Sequence, residues 1–331
     1  NFNTVYPVVW NWGYTQYPSA VAKRAIGHAI DPRIPGLQNR DPLAELVTLG
    51  KQNRISVIPW FEFGFMTTAD SELVTRHPDW VTQRQDGSKV WQEGQHQRMW
   101  LNPFKPEVQQ FMLDLILEIV SKYGVDGIQF DDHMGLPSDF GYDPYTVALY
   151  KKETGKEAPK DPKDPAWLRW RADKITEFMG RVFRAIKARK PKLTVALSPN
   201  SQKFSYENYL QDWVTWRRRG YIEELILQVY RSDINSFVNE LLQPEVQEAK
   251  QHIPVGVGIL TGLKGKPMPI IQVQEQIQVA RALGFVGVSF FFYETMWNMS
   301  NESPEYRKAG FKTEFADPIP RPSVPANRAQ R

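Results

Sequence analysis

No cysteine occurs among the 331 residues. Disulfides, thiolate zinc sites and a cysteine nucleophile are therefore excluded together. Long apolar runs are also missing, and none approaches the roughly 20 residues that span a bilayer. Neither sign of charge dominates: 41 basic and 37 acidic residues leave a net charge of +4, mixed along the chain rather than blocked. That balance gives no reason to expect nucleic acid as a partner. Histidine is scarce, and His28, His77, His96, His133 and His252 form no His-x-His or His-x-x-x-His pair. Metal-dependent deacetylases and amidohydrolases want such pairs, so neither a metal nor another cofactor is expected. A Gly-x-Ser-x-Gly elbow, a phosphate-cradling glycine loop and a dinucleotide fingerprint are absent as well, which removes those reaction classes.

What is present is an ordinary globular composition, 41% hydrophobic and 24% charged, with an unusual 11 tryptophans. Aromatic surface of that amount suits stacking on sugar rings, although filling a core would use it equally well. Apolar strand-like runs alternate with amphipathic helical ones. The strands are Thr4 to Trp10, Ile55 to Glu62, Gly124 to His133, Leu193 to Asn200, Glu224 to Tyr230, Pro254 to Leu260 and Gly287 to Glu294. Helices are predicted over about 43–52, 106–122, 145–153, 166–189, 205–219, 233–250 and 271–283. Seven strands in one unbroken βα series argue for a single parallel barrel of the TIM type, a (β/α)8 fold that lacks its first βα unit here. No signal peptide is present and the chain opens on the approach to a strand, so an upstream segment is expected to have been removed or left out. The edge between the strands at 4–10 and 285–293 would then lack a partner, to be covered by helices, by the tail or by a second chain. The barrel is expected over 1–315, with a hairpin insertion at about 80–100 turning at Asp86-Gly87-Ser88, and a Pro-rich extended tail over 316–331.

The centre of this pattern is Gly124-Val-Asp-Gly-Ile-Gln-Phe-Asp-Asp-His133. A period of two puts Gln129 and Asp131 on one face and Ile128, Phe130 and Asp132 on the other. With Ile128 and Phe130 packed outward on helices, Asp131 points into the barrel at its carboxyl end, where such barrels keep their chemistry. The acids at strand ends are few: Glu62, Asp131, Asp132 and Glu294. Hydrolysis of a glycosidic bond needs one carboxyl kept protonated and another ionised, and like charges held close push their pKa values apart. Asp131 is the expected ionised partner, Glu294 the first choice of acid and Glu62 the second, while Asp132 faces the helix side or bonds its neighbours to orient Asp131, unless local twist at the strand end exchanges the two. An Asp-Asp-His run could hold a metal, but two of its three side chains are expected to diverge. Trp10, Asn11, Trp12, Trp60, His133, Asn200, Gln228, Tyr230, Tyr293 and Trp297 are the expected substrate-binding residues.

Several separated runs resemble one family. They are Asn3-Thr-Val-Tyr-Pro-Val-Val-Trp-Asn-Trp-Gly-Tyr14, Val125 to His133, Trp167-Leu-Arg-Trp-Arg-Ala-Asp173, Leu197-Ser-Pro-Asn200, Gln228-Val-Tyr-Arg231 and Phe292-Tyr-Glu-Thr-Met-Trp297. Together they are similar to the bacterial glycosyl-hydrolase-like barrels named for a distant likeness to family ten, over roughly residues 1–315. The resemblance implies a TIM-type barrel, export to the periplasm or cell envelope, and hydrolysis of a polymeric glycan, an amino-sugar polymer such as peptidoglycan. The Asn-Glu and Thr-Glu contexts of true family-ten xylanases do not fall at strand ends here: Asn239-Glu240 and Thr176-Glu177 lie in predicted helices, and Asn301-Glu302 and Thr313-Glu314 beyond the last strand. The alternative reading is a cell-envelope protein that binds glycan on such a barrel without turnover, and a weaker one is a sugar transferase using the same carboxylates.

Overall fold

Proline and aspartate punctuate the chain. The computed structural model describes residues 1–322, and in it three helices begin at an Asp-Pro pair: Pro42–Asn53, Pro144–Thr154 and Pro165–Arg189. In each, the aspartate before the proline accepts from a first-turn amide, and the proline occupies a position whose N–H would have no helical partner. The helix Pro106–Lys122 buries Val108, Phe111, Met112, Leu115, Ile116 and Ile119 as one stripe, as the 3.6-residue period requires. Prolines and caps also divide two of the predicted helices. The span 233–250 becomes Ile234–Leu241 and Pro244–Lys250, because Pro244 has no N–H to continue the ladder. The span 205–219 becomes Gln202–Tyr209 and Trp213–Arg218, separated at Leu210 with φ 55° and restarted by Asp212.

These helices surround a parallel sheet that follows chain order. The strands Trp60–Phe61, Gly127–Asp131, Thr194–Ser198, Glu224–Gln228, Val255–Leu260 and Val288–Phe291 form six neighbours in sequence. Thr4–Val5 extends them by pairing with Ser56–Val57, and a parallel bridge joins Val8 to Trp60. The fold is an incomplete (β/α)8 barrel. Register aligns Trp60 with Gln129, Phe61 with Phe130 and Ser198 with Asp131, so the functional strand ends share one level. Ile128 and Phe130 are fully buried in the main core, beside Phe61 at 5.8 Å between ring centres.

Among the described residues the two outermost strands are not paired with each other, and Val288–Phe291 is half-buried along its whole length whereas Gly127–Asp131 is buried throughout. The segment after the helix Pro304–Glu314 crosses this side of the barrel. Asn1 donates to the carbonyls of Phe315 and Ala316 at 2.9 and 2.7 Å, and Asn3 to that of Ile319 at 3.1 Å. Arg321 bonds the hydroxyls of Thr4 and Tyr6 and pairs with Glu224. Of the tail expected over 316–331, residues 323–331 lie outside the described residues.

The expected insertion is a three-stranded antiparallel sheet ordered Met66–Thr68, His96–Trp100, Trp91–Glu93. Its hairpin pairs Glu93 with His96 and so turns at Gly94, not at Asp86-Gly87-Ser88. The latter closes a separate turn, with Arg84 N–H donating to the Ser88 carbonyl at 2.9 Å. Both glycines have positive φ, and the cross-strand pairing selects Gly94. No helix among the described residues is long and apolar enough to cross a membrane.

Candidate active site

Asp131 ends its strand facing inward, as the alternation predicts, and only 2% of its side chain is exposed. Its Oδ2 accepts from the Trp60 indole N–H at 3.0 Å, and its Oδ1 accepts from the His133 backbone amide at 3.0 Å. That second bond caps a short 3-10 turn over Asp132–Met134 and curls the chain back over the strand end. As a result Asp132 does not face the helices. Its carboxylate accepts from Asn200 Nδ2 at 2.8 Å and lies 3.9 Å from His133 Nδ1, on the same side as Asp131.

Ligand-type atoms of Asp131, Asp132 and His133 thus lie within 4.8 Å of one another, so the expectation that two of the three diverge is corrected: the capped turn reverses the strand's alternation. The group does not suit a cation bound through His133 Nδ1. That nitrogen sits 2.7 Å from the Glu62 carbonyl oxygen, which can only accept, so the position carries a proton.

Burial pushes the Asp131 carboxyl up to about 7, with Asp132 adding to the effect and His133 opposing it. Glu62, at the end of the neighbouring strand, is also raised to about 7, by burial first and by the charge of Asp131 second. Burial alone would lower His133, but Asp132 and Asp131 outweigh it and push the imidazole up to about 10. The phenol of Tyr230 is raised well above its ordinary value by burial and then by the charges of Asp132, Asp131 and Glu62. The site therefore gathers the carboxyls of Glu62 and Asp131 from adjacent strand ends, that of Asp132 beside Asp131, and the His133 imidazole against both aspartates and the Glu62 carbonyl.

Glu294 does not join them. The strand stops at Phe291, and the chain turns into the helix Tyr293–Trp297, whose inner face is taken by buried Thr295 and Met296. Glu294 is exposed on the outer face and has no hydrogen bond or ion pair from its carboxylate to the described residues. Its expected role as the acid is corrected for that reason, and Glu62, the second choice, is the acid next to Asp131.

The expected aromatic frame divides in the same way. Trp60 is half-buried against Asp131, and Tyr230 stacks on Phe291 at 5.4 Å. Trp12 stacks on Phe63 at 5.9 Å beneath the Arg98 guanidinium, and with Asn11 it lines a cavity of about 610 Å³ whose lining includes Val8, Arg33 and Leu43 but none of Glu62, Asp131 and Asp132. Gln228 is spent on the Ser198 carbonyl at 2.6 Å. Trp10 is fully buried with its N–H on the Gly64 carbonyl, so it belongs to the core and not to a binding surface. Tyr293 is 72% exposed, and Trp297 packs on Phe311 at 5.3 Å, both on the helix that carries Glu294 away.

Sequence reasoning missed the far wall. Phe63, Trp100 and Tyr209 pack around the His133 ring at 6.1, 5.8 and 6.4 Å between centres. Gln211 donates to the Asp131 carbonyl at 2.7 Å. The hairpin that carries Trp100 was legible as an insertion, but which of its side chains faces inward depends on its register.

A parallel α/β barrel with carboxyl groups gathered at the carboxyl ends of its strands is the arrangement expected of a glycoside hydrolase-like protein. The chain belongs to the family Glycosyl hydrolase-like 10, which matches residues 1–279. Among curated relatives, Glycosyl hydrolase YngK of Bacillus subtilis is 22% identical over 256 residues, covering 67% of this chain and 47% of its own length. Glycosyl hydrolase DigH of Escherichia coli (strain K12) is 25% identical over 175 residues, covering 48% and 36%. The chain thus spans less than half the length of these relatives. Among solved structures, the PgaB (BpsB) glycoside hydrolase domain of Bordetella bronchiseptica superposes with a TM-score of 0.66 at 15% identity, covering 91% of this chain and 90% of that one. Alpha-L-fucosidase isoenzyme 2 of Paenibacillus thiaminolyticus does so with 0.64 at 17% identity, covering 94% and 44%. These likenesses support the barrel fold.

Proposed function

We propose that this chain hydrolyses glycosidic bonds in a polymeric amino-sugar glycan such as peptidoglycan, with Asp131 as the ionised carboxylate and Glu62 as the proton donor. The observation that carries this reading is that two carboxyl groups stand on neighbouring strand ends, Asp131 buried and Glu62 half-buried, and both are raised to about 7, by burial first and, for Glu62, by the charge of Asp131 second. Such a pair holds one proton between two groups near neutral pH, as acid catalysis at a glycosidic oxygen requires. Asp131 is the better anion because it accepts from Trp60 and from the His133 amide, whereas no donor bonds the Glu62 carboxyl among the described residues. Trp60 and Tyr230 offer ring faces to a pyranose beside them. The amino-sugar polymer, and work outside the cytoplasm where such polymers lie, rest on the family resemblance.

The test is incubation with peptidoglycan sacculi, with and without stem peptides, followed by mass spectrometry of released fragments. Asp131→Asn is expected to lower turnover by about 1,000-fold or more while glycan binding stays measurable, and Glu62→Gln by about 100-fold or more. Glu294→Gln is expected to stay within about threefold of wild type, since a solvated side chain outside the cluster makes no transition-state contact. An Asp131→Asn variant as active as wild type would remove the carboxylate assignment. Binding without any released fragment would favour the non-catalytic reading.

A further inference from the structure

His133 makes contacts that the carboxyl pair by itself does not explain. Its Nδ1 proton points at the Glu62 carbonyl at 2.7 Å, its backbone amide donates to Asp131 Oδ1 at 3.0 Å, and its own carbonyl accepts from the Phe65 amide at 2.9 Å. The loop it grips is pressed close. A Cβ on Gly64 would lie 2.3 Å from the His133 carbonyl oxygen, and Gly64 has φ +45°. The Gly64 carbonyl is in turn held by the Trp10 indole N–H at 2.9 Å. The imidazole is boxed by Phe63, Trp100 and Tyr209, and the charged groups facing it are Asp131 at 3.5 Å and Asp132 at 3.9 Å, with Glu62 across the loop.

Resting on the carboxyl-pair reading above, we propose that His133 is a positioning residue whose side chain ties the strand end bearing Asp131 to the one bearing Glu62, and so sets the spacing of the two carboxyl groups. Spacing matters because the separation of the carboxyls decides whether a water fits between them and whether attack is in reach. Neither strand can fix it alone. Past the Phe61–Phe130 pair the parallel ladder between the two strands has ended, and the side-chain bond to Glu62 O, with the Phe65 to His133 backbone bond, takes over. A donor held to a backbone carbonyl also fixes the ring's orientation, so Nδ1 stays 3.5 Å from Asp131 and 3.9 Å from Asp132 while its proton is given to Glu62 O. The cation that the Asp131-Asp132-His133 cluster would otherwise invite is supplied by the chain itself.

The test compares His133→Leu, which removes the donor, with His133→Asn, whose amide nitrogen can occupy the place of Nδ1. Against sacculus glycan, His133→Leu is expected to lose about 100-fold in kcat, the scale of a misplacement near 1 Å. Its KM should stay within about threefold, and His133→Asn should recover about tenfold or more of the lost kcat. A wild-type kcat in His133→Leu, or no recovery in His133→Asn, overturns the proposal. Independently of activity, wild-type protein labelled with 15N-histidine is expected to carry a proton on His133 Nδ1 at pH 7, in a signal that His133→Asn lacks. An unprotonated Nδ1 overturns the clamp even if both variants fail to fold. If Asp131→Asn keeps full activity while the Nδ1 proton is present, the carboxylate reading has failed and the tie between the loops stands.

Discussion

Asp131 and Glu62 each exchange a strand-end position in water for one among Trp60, Tyr230 and each other, and the physical consequence is a dependence on pH. Carboxyls that titrate at 3.8 and 4.5 in solution are raised to about 7 in the fold. Between those limits the folded chain keeps protons that the unfolded chain has released, so stability falls as pH rises from about 4 to about 7. His133, raised from 6.5 to about 10, favours the fold while it is protonated, and this contribution is lost as pH rises from about 6.5 through 10. Denaturant unfolding is therefore expected to show declining stability from pH 4 upward. Glu62→Gln should reduce the loss between pH 4 and pH 8 by on the order of 2 kcal/mol. An unchanged pH slope in that variant would mean that the fold does not hold the Glu62 proton. At this scale Asp131 was legible in the sequence, because two-residue alternation and an apolar strand leave its direction little choice. Asp132 was not, because the turn that reverses it is closed by a hydrogen bond to Asp131 itself.

Strand ends and loops decide which of these residues meet. The expected acid, Glu294, lay in a run of apolar residues that reads as strand to its end, yet Thr295 bonds back to the Phe292 carbonyl at 2.8 Å and starts a helix there. Local patterning cannot tell a strand that continues from one that turns when the residues are equally apolar. The tight apposition of the loops at Gly64 and His133 is similarly an element-scale feature. Gly64→Ala would add an atom that backbone on the facing loop must yield to, in a conformation that side chains rarely adopt. It is expected to cost about 2 kcal/mol or more, read as a lower denaturation midpoint with an unchanged m-value. A variant as stable as wild type would show that the two loops can separate freely.

At the scale of the molecule, the two outer strands are held by side chains where no ladder joins them. Phe2 packs on Phe290 and Phe311 at 6.0 and 6.3 Å, and Arg321 reaches across to Glu224, whose side chain is 5% exposed. Tyr6 donates to the same carboxylate at 2.9 Å. Arg321→Ala would leave Glu224 buried with, among the described residues, a phenol as its one neutral partner, and is expected to cost about 3 kcal/mol. Thermal unfolding checks this, and a midpoint unmoved from wild type would mean that the tail contributes nothing to closure. The seven strands and the place of the active end were legible from the alternation of apolar runs and helices. For the open edge the sequence offered helices, the tail or a second chain, and could not choose the residues after 315, since their contacts with Asn1, Asn3 and Thr4 join positions more than 300 apart with no common pattern.

By itself the sequence determined the βα order, the parallel sheet and the inward direction of Asp131, because these follow from periodicity and caps that act over a few residues. Only the tertiary structure decided that Glu62 and not Glu294 stands beside Asp131, that Trp10 is core, and that His133 bridges two strand ends. Each of those depends on where a strand stops and which distant loop it then touches, and that is settled by packing between elements.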